Sequence, residues 1–165
     1  MSRKTHGSVG TFDIPSRLTG SSGVECRSGG SSSNYQIVAT FTDTVSFNSV
    51  TVTSGSGTVA GLSASGNQII VNLTHVANDQ TIVVTLSGVK VTLEPNTYIF
   101  AIPMGVLVDD KNGDRIVDSL DVSQTNARIG NAVIQSTFRN DVNFDDVIAN
   151  NDVALIQRSL GKVLH

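Results

Sequence analysis

The chain has 165 residues, enough for one or two domains, and 39% of them are hydrophobic, with a mean hydropathy of +0.07. This composition supports a packed core and argues against a disordered chain. No stretch reaches the roughly 18 apolar residues of a membrane helix, so membrane insertion is not expected. A net charge of −3 gives no basic surface for nucleic acid.

Glycine and aspartate are distributed unevenly along the chain. Residues 1–108 contain 12 of the 15 glycines but only five acidic residues, whereas the last 57 residues contain nine acids, all of them aspartate. Such different compositions indicate two modules, which we place at 1–105 and 106–165. Cys26 is the only cysteine, so no internal disulfide can form, and we interpret it as a small buried hydrophobic residue.

The first module is predicted to be all β. Runs of β-branched and aromatic residues recur at short intervals, separated by turn sequences such as SGSG, SASGN and EPN. This spacing predicts an immunoglobulin-like β-sandwich, with a Gly/Ser-rich surface loop at 20–34. The predicted strands are 35–41, 45–53, 68–73, 81–86 and 98–108.

The second module contains an internal repeat. The segment from Asp110 matches the segment from Asp141 without a gap, at an offset of 31 residues. Aspartates, apolar residues and glycines agree together across the two copies, which indicates a duplicated unit. Each copy begins with a D-x-N-x-D loop, and an amphipathic helix is expected to follow it. The predicted helix faces are Val122, Thr125, Ile129 and Val133 in the first copy, and Val153, Ile156, Leu160 and Val163 or Leu164 in the second, with Gly130 and Gly161 as C-cap glycines.

The oxygen-bearing residues of each loop have the spacing of an EF-hand calcium loop, in which positions 1, 3, 5, 7, 9 and 12 supply ligands. Two loops with this spacing predict two bound calcium ions. Position 6, usually glycine, is Arg115 or Asp146, and position 9 of the second loop is Ala149. The predicted ligands are Asp110, Asn112, Asp114, the Ile116 carbonyl, Asp118 and Asp121 in loop one, and Asp141, Asn143, Asp145, the Val147 carbonyl and Asp152 in loop two.

No helix is predicted before either loop, and paired loop–helix units of this kind resemble a dockerin. The resemblance covers about 108–165 and depends on the two D-x-N-x-D-(x6)-D loops and their offset. It implies a small α module that folds on calcium, has no catalytic activity and binds a cohesin-type module in a secreted or cell-surface bacterial protein. The partner-binding residues that it implies are Ser119, Leu120, Asn126, Ala127, Asn150, Asn151, Gln157 and Arg158.

Two alternatives remain open at this point. The C-terminal module could be a calcium-stabilised structural or anchoring element that packs on its own β-sandwich and has no cohesin partner. The β-sandwich could bind carbohydrate, although the chain has no tryptophan and only two tyrosines to stack on sugar rings. Catalysis is not expected, because no Ser/His/Asp or Cys/His grouping is visible in the sequence. We also expect calcium to stabilise residues 109–165 and to leave the β-module almost unchanged.

Overall fold

A computed structural model describes all residues, 1–165, and most of its regular structure is β-strand. Two short helices, α1 (Ser119–Asn126) and α2 (Asn150–Arg158), and one turn of 3-10 helix at Phe138–Asn140 lie in the C-terminal part. The strands are β1 (Ser2–His6), β2 (Gly10–Ile14), β3 (Val24–Glu25), β4 (Tyr35–Thr40), β5 (Val45–Ser46), β6 (Ser49–Ser54), β7 (Thr58–Ser65), β8 (Gln68–Thr74), β9 (Gln80–Val91) and β10 (Thr97–Val106).

The strands form two five-stranded sheets. The first has the order β2-β1-β4-β8-β7, and in the second β3, β10 and β9 lie side by side while β5 and β6 both pair with β9. Every pair is antiparallel except β3 with β10. Because the two residues of β3 add to the edge of β10, the segment that follows β10 emerges next to the segment that follows β3.

The main core lies between the two sheets and contains 16 buried residues. Alternate residues of β8 and β9 point into it, as expected for strands with one buried face. Ile69, Val71 and Leu73 of β8 are at most 2% exposed, and Ile82, Val84 and Leu86 of β9 are fully buried. The prediction of a β-rich first part, made from recurring runs of β-branched and aromatic residues, is therefore confirmed.

The predicted fold class, an immunoglobulin-like sandwich followed by a separate small α module with two calcium loop–helix repeats, is wrong. The C-terminal part contains only two short helices and one turn of 3-10 helix, and its apolar residues pack on residues of β2 and β3 as well as on each other. One cluster joins Phe12, Ile14 and Cys26 to Val133, Phe138 and Ile148. A second cluster joins Val24 and Leu107 to Val117, Val142, Ile156 and Leu164. Helices of eight and nine residues bury too little surface to form a core of their own, so the β-strands supply the rest.

Both helices end earlier than the sequence pattern suggested. Ile129 and Leu160, predicted on the buried helix faces, lie beyond the helix ends and are 37% and 49% exposed. Gly130 and Gly161 adopt left-handed conformations, with φ of 80° and 87°, but lie after the helix C-caps instead of forming them.

Two features of the N-terminal part also differ from expectation. The Gly/Ser-rich segment 20–34 is not a surface loop throughout, because Glu25, Cys26 and Arg27 within it are fully buried. The predicted strand 45–53 is divided into β5 and β6. The burial expected of Cys26 is confirmed, and it raises the pKa of the thiol to about 11 because the thiolate is poorly solvated.

Candidate calcium loops and the histidine beside them

The first predicted loop winds around the carboxylate of Asp110. Its Oδ1 accepts a hydrogen bond from the Gly113 amide at 2.7 Å, and its Oδ2 accepts one from the Arg115 amide at 2.9 Å. The Asn112 side chain accepts from the Asp114 amide at 2.8 Å. The Asp114 side chain in turn accepts from the Ile116 amide at 3.0 Å. The loop backbone is thus organised around side-chain oxygens.

The second loop repeats this pattern around Asp141. Its Oδ1 and Oδ2 accept from the amides of Asp145 and Asp146, each at 3.0 Å. Asn143 accepts from the Asp145 amide at 3.0 Å, and Asp145 accepts from the Val147 amide at 3.1 Å. Two segments with different residues at most positions therefore share one conformation, in agreement with the sequence repeat.

The twelfth residue of each loop closes it at the start of the following helix. Asp121 accepts from the Asn112 amide at 3.1 Å and from the Asp118 amide at 2.9 Å. Asp152 accepts from the amides of Val142 at 3.0 Å and Ala149 at 2.9 Å. Each of these carboxylates connects the first residues of its loop to the first turn of its helix.

The sixth position of both loops has a positive φ, 79° at Arg115 and 70° at Asp146. The left-handed turn expected at this position is therefore present, although neither residue is glycine. The Arg115 side chain points away from the loop, and its guanidinium lies 3.3 Å from the Leu164 carbonyl and 3.4 Å from the His165 carbonyl. Its charge is thus displaced toward the C-terminus.

The two loops are connected through the glycines that follow the helices. The Gly161 amide donates to the Val117 carbonyl of loop one at 2.9 Å, and the Gly130 amide donates to the Ile148 carbonyl of loop two at 2.9 Å. Val117 and Ile148 occupy the eighth position of their loops and are fully buried. Each half of the repeat thus holds the loop of the other half.

Four loop aspartates, Asp110, Asp121, Asp141 and Asp152, are fully buried. Burial raises the pKa of Asp110 and Asp152 because it disfavours the ionised form, while backbone amides act in the opposite direction. No basic side chain lies within 4.0 Å of the carboxylates of Asp110, Asp121 or Asp152. These three buried carboxylates therefore have no direct ion-pair partner in the protein.

The other predicted ligands lie near the surface. Asn112 and Asp114 are bonded to each other at 2.8 Å, as are Asn143 and Asp145. The Asp118 carboxylate caps α1 by accepting from the Leu120 amide at 2.7 Å. With these hydrogen bonds in place, no three carboxylates of loop one lie within 4.8 Å of one another.

Every predicted partner-binding residue is exposed. They belong to α1 and α2 or directly follow α1, and Leu120, the one large apolar side chain among them, is 47% exposed. The exposed residues are Ser119, Leu120, Asn126, Ala127, Asn150, Asn151, Gln157 and Arg158.

Sequence analysis missed the contact between His6 of β1 and loop two. His6 Nδ1 lies 2.9 Å from Asp141 Oδ2 and 3.9 Å from Asp146 Oδ1. The ring makes edge contacts with Phe12 and Phe144, at centroid distances of 5.2 and 4.4 Å. No local pattern could have revealed this pair, because 135 residues separate His6 from Asp141.

Comparisons with known proteins add no assignment to this geometry. No protein-family model matches the chain, and searches of curated proteins and of solved structures also found no match. Neither helix has the length and apolar character needed to cross a membrane.

Proposed function

We propose that loops 110–121 and 141–152 each bind one calcium ion. The observation that carries the proposal is the burial of four carboxylates inside two loops with the same conformation. A buried carboxylate without a counter-charge is costly, and a divalent cation at the loop would offset this cost. Backbone amides already donate to both oxygens of each first-position and twelfth-position carboxylate, so the carboxylates are held in place before an ion binds.

The donor set of both loops fits calcium. It consists of carboxylate, amide and carbonyl oxygens, the hard ligands that calcium prefers, and contains no nitrogen or sulfur at the predicted positions. Asn112 is hydrogen-bonded to Asp114, and Asn143 to Asp145, and a calcium ion would replace these two bonds. Bound calcium would hold the loop closed against the repulsion of its like charges.

Loop one is expected to bind calcium more tightly than loop two. Loop one has Asp118 at its ninth position, where loop two has Ala149, and affinity rises with the number of charged ligands. Arg115 already directs its cation away from the loop. In calorimetric titration of the full chain, Asp110→Ala should therefore weaken calcium binding more than Asp141→Ala, each by at least about tenfold at its own site. The reverse order would show that the turn at position six governs affinity, and no calcium-dependent heat in the native chain would overturn the proposal.

The proposal extends to the exposed side of the two helices as a docking surface for a protein partner. All eight residues that the dockerin resemblance implies are exposed. Leu120 offers an exposed apolar side chain, and Arg158 offers a guanidinium, a group that is enriched at protein interfaces. The same resemblance suggests a cohesin-type module as the partner to test first, in a secreted or cell-surface bacterial protein.

Binding to a panel of immobilised cohesin-type modules tests this docking role. The native chain should bind with calcium and not with chelator, and Leu120→Ala together with Arg158→Ala should weaken binding at least about fivefold. Gln135→Ala, an exposed site outside this surface, is the matched control and should bind normally. Equal weakening by the double variant and by Gln135→Ala would argue against docking through the helices.

A second function, that of a calcium-stabilised structural element without a cohesin partner, is favoured by a different observation. Both smaller clusters join the C-terminal part to the β-strands of the same chain. This role predicts that calcium raises the melting temperature while no member of the cohesin panel binds. The two outcomes together separate structural stabilisation from docking.

A further inference from the structure

We propose that His6, Asp141 and Asp146 form a binding site for a divalent transition-metal ion, with Zn²⁺ as the best-matched probe. This inference goes beyond the proposed calcium function, with which it shares only Asp141. Asp146 is at the sixth position of loop two and is not one of the predicted calcium ligands. His6 is the last residue of β1, near the N-terminus of the chain.

The distances fit a small tetrahedral ion. The three ligand atoms lie within 4.8 Å of one another. His6 Nδ1 is 2.9 Å from Asp141 Oδ2 and 3.9 Å from Asp146 Oδ1. Zinc bonds of about 2.0–2.2 Å in tetrahedral geometry place ligand atoms about 3.4 Å apart, between these two values. Three protein ligands would leave a fourth position for water.

The environment of the three groups indicates that a partner is needed there. The side chains of His6 and Asp141 are fully buried. Asp146 has a side chain that is 30% exposed, yet its Oδ1 is buried and has no hydrogen-bond partner. Leaving a buried polar atom without a partner is unfavourable, and a bound cation would remove this cost.

Gly7 leaves room for the Asp146 carboxylate beside the β1–β2 turn. It has a φ of 36°, and a Cβ atom at this position would lie 2.0 Å from Asp146 Oδ2. Only a residue without a side chain therefore allows the carboxylate to lie against the β1–β2 turn. The turn positions both the histidine and the acid.

Nδ1 is the ring nitrogen of His6 that faces the two carboxylates. His6 Nε2 faces the Arg27 guanidinium, with 3.5 Å to Nη1, and is closed to a cation. Arg27 does not depend on this contact, because it donates to both Glu25 oxygens at 2.8 Å and to the Phe12 carbonyl at 3.1 Å. A guanidinium nitrogen only donates, so in this structure Nε2 accepts from Arg27 and the protonated Nδ1 donates to Asp141. Zinc binding at Nδ1 would therefore move the proton to Nε2 and break the long Arg27 contact, while Arg27 keeps its bonds to Glu25 and Phe12.

One nitrogen and two carboxylate oxygens give this site a selectivity different from that of the calcium loops. Imidazole suits zinc and its neighbours in the first transition row, whereas calcium takes oxygen ligands. Loop one has Arg115 at the position of Asp146, so the duplicated unit has this site only once. Because Asp141 serves both sites, zinc should weaken calcium binding at loop two and leave loop one unaffected.

Calorimetric titration of the chelator-stripped full chain with ZnCl₂ tests the site. One zinc ion should bind, and His6→Gln or Asp146→Asn should weaken it at least about 100-fold, since loss of an outer-shell group alone costs 10–100-fold. Asp145→Asn is the matched control, because it removes a predicted calcium ligand of loop two outside the triad. It should weaken calcium and retain zinc, so failure of the calcium proposal is distinguishable from failure of this one. Zinc binding that is absent, or that survives both triad substitutions, overturns the inference.

A measurement on the native chain avoids dependence on the folding of variants at a buried histidine. Zinc should shift the side-chain ¹⁵Nδ1 resonance of His6 in long-range ¹H–¹⁵N spectra. The other two histidines, His75 and His165, are exposed and serve as internal controls. Zinc-dependent shifts at His75 or His165 with none at His6 would indicate surface binding and contradict the site.

Discussion

Calcium is expected to raise the melting temperature of the chelator-treated chain by about 10–20 °C. A site filled at 100 times its dissociation constant stabilises the native state by about 2.7 kcal/mol, so two sites contribute about 5 kcal/mol. In a chain of this size each kcal/mol shifts the Tm by about 2–4 °C. Circular dichroism melts in calcium and in chelator measure the difference.

Two apolar clusters contain residues of both the β-strands and the C-terminal part. Calcium removal is therefore expected to affect more of the chain than residues 109–165. Phe12 and Ile14 of β2 pack with Phe138 and Ile148, so loss of the loops removes half of the core beneath the β1–β2 hairpin. Hydrogen exchange should therefore show that chelator also loosens β1 and β2, while β8 and β9 stay protected by the main core. The double variant Asp110→Asn/Asp141→Asn is the control, and its Tm should not respond to calcium. Equal melting of the native chain in calcium and chelator would rule out both effects.

Glu25→Ala is expected to destabilise the chain by about 3–5 kcal/mol, a large part of the stability of a typical domain. Glu25 and Arg27 are both fully buried and form a two-pronged ion pair, with two nitrogen–oxygen distances of 2.8 Å. Desolvation raises the pKa of Glu25, but the hydrogen bonds and charge of Arg27 outweigh it, and the pKa is lowered. Removing Glu25 would leave the Arg27 cation buried without a counter-charge.

The Glu25–Arg27 pair also connects β1 with the C-terminal part of the chain. Ser2 donates to Glu25 at 2.5 Å, and the Arg27 guanidinium lies 5.0 Å from the Phe138 ring. Urea titration should show the full loss for Glu25→Ala and a smaller one for the double substitution Glu25→Leu/Arg27→Met, which removes both charges. The half-exposed pair Arg3–Asp13 is a matched control, and Asp13→Ala should cost at most about 1 kcal/mol. An equal loss for the single and double variants would show that packing, not charge, makes this site important.

Local sequence patterns predicted the features that depend on neighbouring residues. Runs of β-branched residues between turn sequences located the strands that bury Val71 of β8 and Val84 of β9, because such side chains pack well on a half-buried pleated surface. The 31-residue offset predicted two loops with one conformation, and both have the same left-handed turn at position six. Side-chain oxygens at the same spacing give the two loops the same backbone conformation, because each carboxylate accepts hydrogen bonds from amides only a few residues away.

Only the tertiary structure decided how these pieces come together. The burial of Glu25 and Arg27 was hidden in a Gly/Ser-rich segment, and the contact of His6 with Asp141 joins residues 135 positions apart. The pattern also predicted a separate α module, but apolar positions show that a helix has a buried face without showing what covers it. Here the two helices contact each other, and part of the cover around Ile156 of α2 comes from outside the repeat, from Val24 of β3 and from Leu107 after β10. Two helices of eight and nine residues have too little apolar surface to form a core of their own.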